Sequence, residues 1–476
     1  MTTTQSTEKQ VLVPVLTANW GQEQSWKLRN YEAQGGYQAL RLALKRPPAD
    51  IMAEVKDSQL RGRGGAGFPT GLKWSFVPAD LNPKYLVVNG DESEPGTCKD
   101  IPLLLANPHS LVEGTIISSY AIGVSHAFIY IRGEVLHPIR RARQAVEEAY
   151  AAGYLGKNIL GSGFDLDIVV HAGAGAYICG EETALLNSLE GRRGQPRLRP
   201  PFPAVAGLYA LPTVINNVES IATVPSIVEH GKDWFTSMGT ERSKGFTIYS
   251  MSGHIRHPGQ YEAPLSVTFR ELFDLAGGMR EGHRLKFFTP GGSSTPMLTP
   301  DQMDVTLDYE GLAAAGTMLG TKALQCFDET TSAVRTTLRW VEFYQHESCG
   351  KCTPCREGSW WLVQLLHKIE AGEGEEGDVD KLMGVVSTMD GTSFCPLAGG
   401  TVACVKSAVT HFREEFELGC RQPDGRGGVP AWQHLPYEAS ALFPLAPGSL
   451  SPAPAPGHSA GGAHSPAPTL IAQGGH

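Results

Sequence analysis

Three cysteines fall within seven residues, in the string Glu347-Ser-Cys349-Gly-Lys-Cys352-Thr-Pro-Cys355-Arg-Glu-Gly358. Two consecutive C-x2-C steps on a tight loop let three thiolates take three corners of a cuboidal iron–sulfur cluster, with a fourth supplied from elsewhere. Cys395, followed by Pro396, is the candidate fourth ligand, because ferredoxin-type sites pair the local triplet with a remote Cys-Pro. The rival is a structural four-cysteine zinc site, which normally shows two C-x2-4-C pairs. Simple burial of three thiols side by side, next to Gly and Pro, makes a poor core. Cys98, Cys179, Cys326, Cys404 and Cys420 are scattered and read as small buried side chains. Nine cysteines, an odd number, do not form a disulfide framework. A cluster handles one electron at a time, so the chain needs an electron source.

A second segment with chemical potential is Gly62-Arg63-Gly64-Gly65-Ala66-Gly67-Phe68-Pro69-Thr70-Gly71. It contains a formal G-x-G-x-x-G, yet the dinucleotide fingerprint needs a strand before it and a helix after it. Here Ile51 to Leu60 reads as helix and Pro69 follows. The glycines still expose N–H groups and admit a flat or phosphorylated ligand closely, and Arg63 and Lys73 supply cations. A plain flexible loop is the bland alternative. The run Tyr85-Leu-Val-Val-Asn89 leads into Gly90-Asp91-Glu92-Ser93-Glu94. Three carboxylates at the carboxyl end of a strand suit the hydroxyls of a ribose or ribityl chain, or a carboxamide; a hard cation is the alternative. A third segment, Gly173 to Thr183, brings Gly180, Glu181 and Glu182 to a helix start, where an anion is favoured and acidic side chains suit the dipole. Asn216 and Asn217 add neutral amides.

These segments need positioning elements. Residues 1–50 read as a leader with one short helix from Tyr37 to Lys45. Across 51–240, β-branched runs at Tyr85–Asn89, Phe128–Ile131 and Asp165–Val170 alternate with helical stretches, which argues for an α/β layer. Residues 245–327 read as a small α+β unit, with strands at Phe246–Ser252 and Arg284–Phe288 and a His-Pro-Gly turn at 257–259. Residues 332–420 read as a helical bundle, from the periodicity of Leu362, Leu365, Leu366 and Ile369. Residues 421–476 form an extension whose last part, from about Ala446, is rich in Ala, Pro, Gly and Ser, lacks charge and is expected to be disordered.

The composition excludes several classes. The net charge is −9 with no basic run, against nucleic-acid binding. Glycine is high, 55 of 476 residues, about 12% against an ordinary ~7%. The longest uncharged stretch, Gly114 to Ile131, carries Ser, Gly and His and reads as helix, turn at Gly123 and strand, not as a membrane span. Met1 to Lys9 lacks the pattern of a signal peptide, and a soluble intracellular chain is expected.

Taken together, the strings 62–74, 89–100, 173–191, 201–209, 347–358 and 393–397 resemble the flavin-bearing, NADH-oxidising subunit of respiratory complex I, that is, the family of F subunits of NADH–quinone oxidoreductases. The resemblance runs from about residue 30 to 420. It implies a modified Rossmann-like FMN domain, a ubiquitin-like β-grasp domain and a helical bundle with a [4Fe–4S] cluster held by Cys349, Cys352, Cys355 and Cys395. It implies FMN contacts from Gly62, Arg63, Gly64, Lys73, Asn89, Asp91, Glu92, Ser93, Gly180, Glu181, Asn216 and Asn217. For NADH it implies Gly65, Gly67, Phe68, Phe76, Glu94, Glu182, Arg199 and Phe202. No general acid or base is required for hydride transfer; Glu94 and Glu182 are the candidates for tuning it. The implied partners are a small thioredoxin-like [2Fe–2S] subunit and a large multi-cluster iron–sulfur subunit of an ion-translocating complex, on the cytoplasmic side of the bacterial membrane, without membrane insertion of this chain. The diaphorase subunit of an NAD-linked hydrogenase or formate dehydrogenase shares this core and is the near alternative. A zinc-stapled scaffold is the distant one.

Overall fold

The computed structural model describes residues 11–433; the expectations for Met1–Lys9 and for the tail from Ala446 lie outside the described residues. The first sheet has four parallel strands, β1 (Tyr85–Gly90), β2 (His126–Ile131), β3 (Asp167–Ala172) and β4 (Thr213–Asn217), in the order β3-β2-β1-β4. Val87, Val88, Ile129, Ile168 and Val214 make it a buried parallel sheet. The order reverses between β1 and β4, where Asn89 pairs in register with Asn217. In open α/β sheets the crevice at such a reversal is where ligands bind.

The stretch expected as helix, turn and strand is so built: helix Pro108–Ile122 ends at Gly123, whose φ of 80° is the usual left-handed cap, and β2 follows. That helix is buried nearly all round against helix Val218–His230. Gly114 permits the approach, since a Cβ there would lie 2.1 Å from the carbonyl oxygen of Ile221.

The second sheet is mixed, in the order β6-β5-β8-β7, from β5 (Phe246–Gly253), β6 (Gly259–Pro264), β7 (Leu285–Thr289) and β8 (Ala323–Asp328). β5 and β6 form an antiparallel pair, β8 runs parallel to β5, and helix Phe269–Leu275 crosses from β6 to β7. Helices Ala333–Glu347, Thr353–Glu370, Asp378–Met389 and Pro396–Leu418 follow. Leu362, Leu366 and Ile369 are buried among them, as their spacing predicts.

The leader is more than a lead-in. It forms helices Leu28–Ala33 and Gln38–Ala43 and straps both sheets. At one end the Glu262 carboxylate on β6 accepts from the amides of Val15, Leu16 and Thr17 at 2.8–2.9 Å. At the other, buried Glu113 accepts from Tyr31 Oη at 2.6 Å and from the amides of Tyr37 and Leu40 at 2.9 Å.

Candidate functional site: a nucleotide crevice beside a cysteine cavity

The glycine-rich loop lies between helices Pro48–Asp57 and Thr70–Ser75, before β1 and not after it. Its neck is closed by Gly62 N–H to Phe68 O at 2.9 Å and Thr70 N–H to Leu60 O at 2.8 Å. Gly64 lies against the end of β4, where a Cβ would come 3.0 Å from that of Asn217. The amides of Gly64, Gly65 and Ala66 make no hydrogen bond within the described residues. Three consecutive free N–H groups are the cradle expected for an anionic or carbonyl-bearing ligand.

Across the crevice, Asn89 Nδ2 donates to Gly180 O at 2.9 Å, and Asn89 Oδ1 accepts from the Asp91 amide at 3.1 Å. Ser93 Oγ donates to Asp91 Oδ1, while Asp91 Oδ2 is buried without a partner. Burial pushes the Asp91 carboxyl up to about 7, with the Ser93 hydroxyl and Arg132 pulling back. A buried carboxylate oxygen with nothing to accept from marks a missing hydrogen-bonding group. Together with the free amides it fits a flavin nucleotide.

At the rim, Lys73 Nζ donates to Glu182 at 2.7 Å and to Ile215 O at 2.8 Å, and Arg199 pairs with Glu182 at 3.1 Å. Phe68, Phe76 and Phe202 are about half exposed, and the rings of Phe68 and Phe76 lie 6.0 Å apart. Exposed aromatic faces beside an ion triad are suited to a stacked base and its phosphates.

Several expected ligands are placed otherwise. The Arg63 side chain is fully buried and donates to the carbonyls of Phe246 at 2.7 Å and Lys244 at 3.1 Å, away from the crevice. Glu92 caps helix Asp100–Ala106, accepting from the amides of Lys99, Asp100 and Ile101 at 2.8–2.9 Å. Glu181 caps helix Glu182–Leu189 through the amides of Thr183 and Ala184. Asn217 Oδ1 caps helix Val218–His230, and Asn216 Oδ1 accepts from Trp74 Nε1 at 2.9 Å. Glu94 is buried, accepting from Tyr177 Oη at 2.7 Å and Ser294 N–H at 2.7 Å; burial raises its carboxyl and these donors pull it back. Gly67 serves packing: its φ is 68° and a Cβ would fall 2.3 Å from the Tyr309 ring.

Cys349, Cys352, Cys355 and Cys395 line one small cavity with Ser348, Ile178, Phe394 and Leu397. Helices Thr353–Glu370 and Asp378–Met389 bridge the gap between Cys355 and Cys395. Cys352 caps one helix and Cys395 caps helix Pro396–Leu418, so two positive helix ends converge on the sulfurs. Burial and the three neighbouring sulfurs push the Cys395 thiol up to about 11. Four thiolates therefore need cations among them. Among the described residues, three ligand atoms come within 4.8 Å of one another only at His283, Asp328 and Glu329, where Arg280 already pairs with Asp328. The four cysteines converge on this one cavity, as a cluster ligated by all four sulfurs requires. Of the scattered cysteines, Cys179, Cys326, Cys404 and Cys420 are buried as expected; Cys98 is exposed.

A single turn, Tyr177–Gly180, separates the two sites. Gly180 faces the crevice through its carbonyl, Ile178 lines the cysteine cavity, and Tyr177 binds Glu94 through its hydroxyl and Glu347 through its amide at 3.1 Å. Sequence reasoning missed Tyr177, Ser293 and Ser294, and also the buried Lys99, Glu219 and Lys322. Only a position inside the quoted strings pointed to Tyr177 and to Lys99; the others carry no local signal.

The geometry agrees with what the chain resembles. Residues 55–226 match the Nuo51 FMN-binding domain, 248–298 the SLBB domain, and 335–419 the NADH-ubiquinone oxidoreductase-F iron-sulfur binding region. The NADH-quinone oxidoreductase F subunit of Streptomyces coelicolor is 67% identical over 413 residues, 87% of this chain and 92% of that protein. The F subunit of Mycobacterium bovis is 64% identical over 422 residues, 87% of this chain and 94% of that one. Among solved structures, an NAD+-reducing [NiFe]-hydrogenase in the air-oxidized state matches with a TM-score of 0.75 at 30% identity, over 89% of this chain and 70% of that one. The same kind of hydrogenase in the H2-reduced state gives 0.73 at 34%, over 80% of this chain and 64% of that one. The higher identity and fuller coverage decide between the two relatives: this chain belongs to the family of NADH-quinone oxidoreductase F subunits, as the NADH-oxidising flavoprotein, with FMN and a [4Fe–4S] cluster, of a membrane-associated respiratory complex.

Proposed function

We propose that the crevice where β1 and β4 diverge holds FMN, lined by Gly62, Gly64, Lys73, Asn89, Asp91, Ser93, Gly180, Glu181, Asn216 and Asn217, with Arg63 and Glu92 contributing backbone only. Gly65, Gly67, Phe68, Phe76, Glu182, Arg199 and Phe202 form the side from which NADH enters, and Cys349, Cys352, Cys355 and Cys395 hold the cluster. FMN held there would supply the chemistry that links two-electron hydride transfer from NADH to a one-electron cluster.

The chain's own residues align and insulate. The free amides of residues 64–66 and the Asn89 amide orient the nucleotide. Asp91 can hold or give up a proton at Oδ2 near neutral pH. Glu182 is held between Lys73 and Arg199 at the entrance. Glu94 touches no open surface; it fixes Tyr177 against the 293–294 loop and so sets the wall between the two sites. The observation that carries this reading is the four-residue turn Tyr177–Gly180, one end on the crevice and the other on the cysteine cavity.

The test is anaerobic NADH titration of the purified chain, followed by EPR. Cluster reduction is expected when FMN is present and not after FMN is removed. A cluster that stays oxidised under NADH with FMN bound would overturn the assignment.

The same reading seats the chain against a small thioredoxin-like [2Fe–2S] subunit and a large multi-cluster subunit on the cytoplasmic face of the membrane. No helix among the described residues is long and apolar enough to cross a bilayer, which suits a peripheral place. Isolation of the intact complex and cross-linking would identify the neighbours.

A further inference from the structure

The glycine-rich loop is held from behind by residues of the second sheet's part of the chain. Tyr309 Oη donates to the carbonyl of Gly62 at 2.7 Å, and Lys322 Nζ donates to the carbonyl of Arg63 at 2.7 Å across 259 residues of sequence. The Arg63 amide is taken by Ser220 Oγ at 2.8 Å, and the Gly67 carbonyl by Arg61 Nε at 2.8 Å. Arg61 in turn stacks on the Tyr309 ring at 3.8 Å. These contacts use carbonyls of the loop and the Arg63 amide, and the amides of residues 64–68, those of Gly64, Gly65 and Ala66 among them, make no hydrogen bond among the described residues.

Lys322 is fully buried, sits at φ 63° just before β8, and shares its surroundings with the Glu219 carboxylate and with Arg63, Lys99 and Asp100. A lysine in the left-handed region inside a protein is held there at a cost by its neighbours. A buried amine aimed at a single loop carbonyl is a costly way to fill space, but it pins that carbonyl firmly.

We propose that Lys322 and Tyr309 are positioning residues for the flavin site: by fixing the Gly62 and Arg63 carbonyls they turn the following three amides toward the nucleotide. This rests on the reading of the glycine loop as part of the FMN crevice. The second sheet then acts on the flavin without touching it. Burial and the neighbouring Lys99 and Arg63 hold the Lys322 amine well below its usual range; a neutral amine still donates to the carbonyl, more weakly than an ammonium.

The test uses the full chain with its cluster in place, stripped of flavin, and reads FMN binding by quenching of flavin fluorescence. Tyr309→Phe, which removes one hydroxyl and keeps the ring against Gly67, is expected to weaken FMN binding about five- to tenfold. Lys322→Met, which keeps most of the stem, is expected to weaken it at least about tenfold, with iron content and the cluster's EPR signal unchanged in both. An FMN affinity within about twofold of wild type in Tyr309→Phe overturns the proposal, even if the melting temperature falls; this variant decides alone should Lys322→Met not fold. Gly64→Leu separates the two levels of the argument. If wild type binds FMN and Gly64→Leu binds it equally well, the loop is not part of the flavin site and the parent reading fails; if Gly64→Leu loses FMN while Tyr309→Phe keeps it, only the positioning role fails.

Discussion

The cysteine cavity and the nucleotide crevice lie one turn apart and are built by opposite strategies. Three of the four cavity cysteines come from one seven-residue stretch that runs from a loop into the first turn of a helix, and the fourth opens a helix whose own N-terminus is turned on the site. The crevice gathers the free amides of a loop at 62–67, the ends of β1 and β4 and the turn at 177–180. It depends on side chains as distant as Tyr309 and Lys322. A site whose ligands are adjacent in the chain needs little from the rest of the fold. A site whose ligands are backbone groups needs every element behind them to be right, because an amide cannot be re-aimed by choosing a rotamer.

That contrast can be broken at its strongest point by Cys395→Ser. Loss of one of four thiolates is expected to abolish the cluster's EPR signal and most of the bound iron, with FMN content near wild type. If flavin is lost as well, the two sites are one cooperative unit and the contrast is wrong. A moderate effect is expected from Asp91→Asn on the flavin-free chain. Burial raises this carboxyl from 3.8 to about 7, so the folded chain holds the proton more tightly than the unfolded one. Its contribution to stability is complete below the unfolded value and is lost as pH rises through about 7. Melting temperature in wild type should therefore fall from about pH 5 to about pH 7 and level off beyond, and Asp91→Asn should flatten that fall. An unchanged slope would show that Asp91 is not buried in this way.

Phe76→Ala should have the least effect on the fold. The side chain is 52% exposed, so unfolding free energy should change by about 0.5 kcal/mol or less. Loss of a stacking face is nevertheless expected to raise the apparent KM for NADH by about fivefold with little change in kcat. A change in kcat alone would move Phe76 out of the entrance and into the chemistry.

Much of the fold was legible where one residue pattern served one element. β1, β2 and β3 announced themselves through Leu86-Val-Val88, Phe128-Ile-Tyr-Ile131 and Ile168-Val-Val170. β6 and β8, with Gly259-Gln-Tyr-Glu and Ala323-Leu-Gln-Cys, have weak strand propensity and exist because β5 and β7 offer them edges. β4 is five residues ending in Asn-Asn, too short for its pattern to stand out. Among site residues, Asn89 and Gly180 stood out in their strings and do meet. Arg63 and Glu92 stood out equally and turn away, one to two carbonyls of the second sheet's segment and the other to a helix cap. A charge beside a glycine loop looks the same in sequence whether it faces a ligand or the core.

The order of residues along the chain was enough to single out the cysteine triplet 349–355, the glycine loop and the alternation of strand and helix, since each rests on neighbours within a few positions. Which side of that loop is free, which carboxylates face the crevice and what stands between crevice and cavity were settled only by the folded chain. Those properties depend on groups hundreds of residues apart competing for the same hydrogen-bonding partners, and that competition has no outcome until the chain is packed.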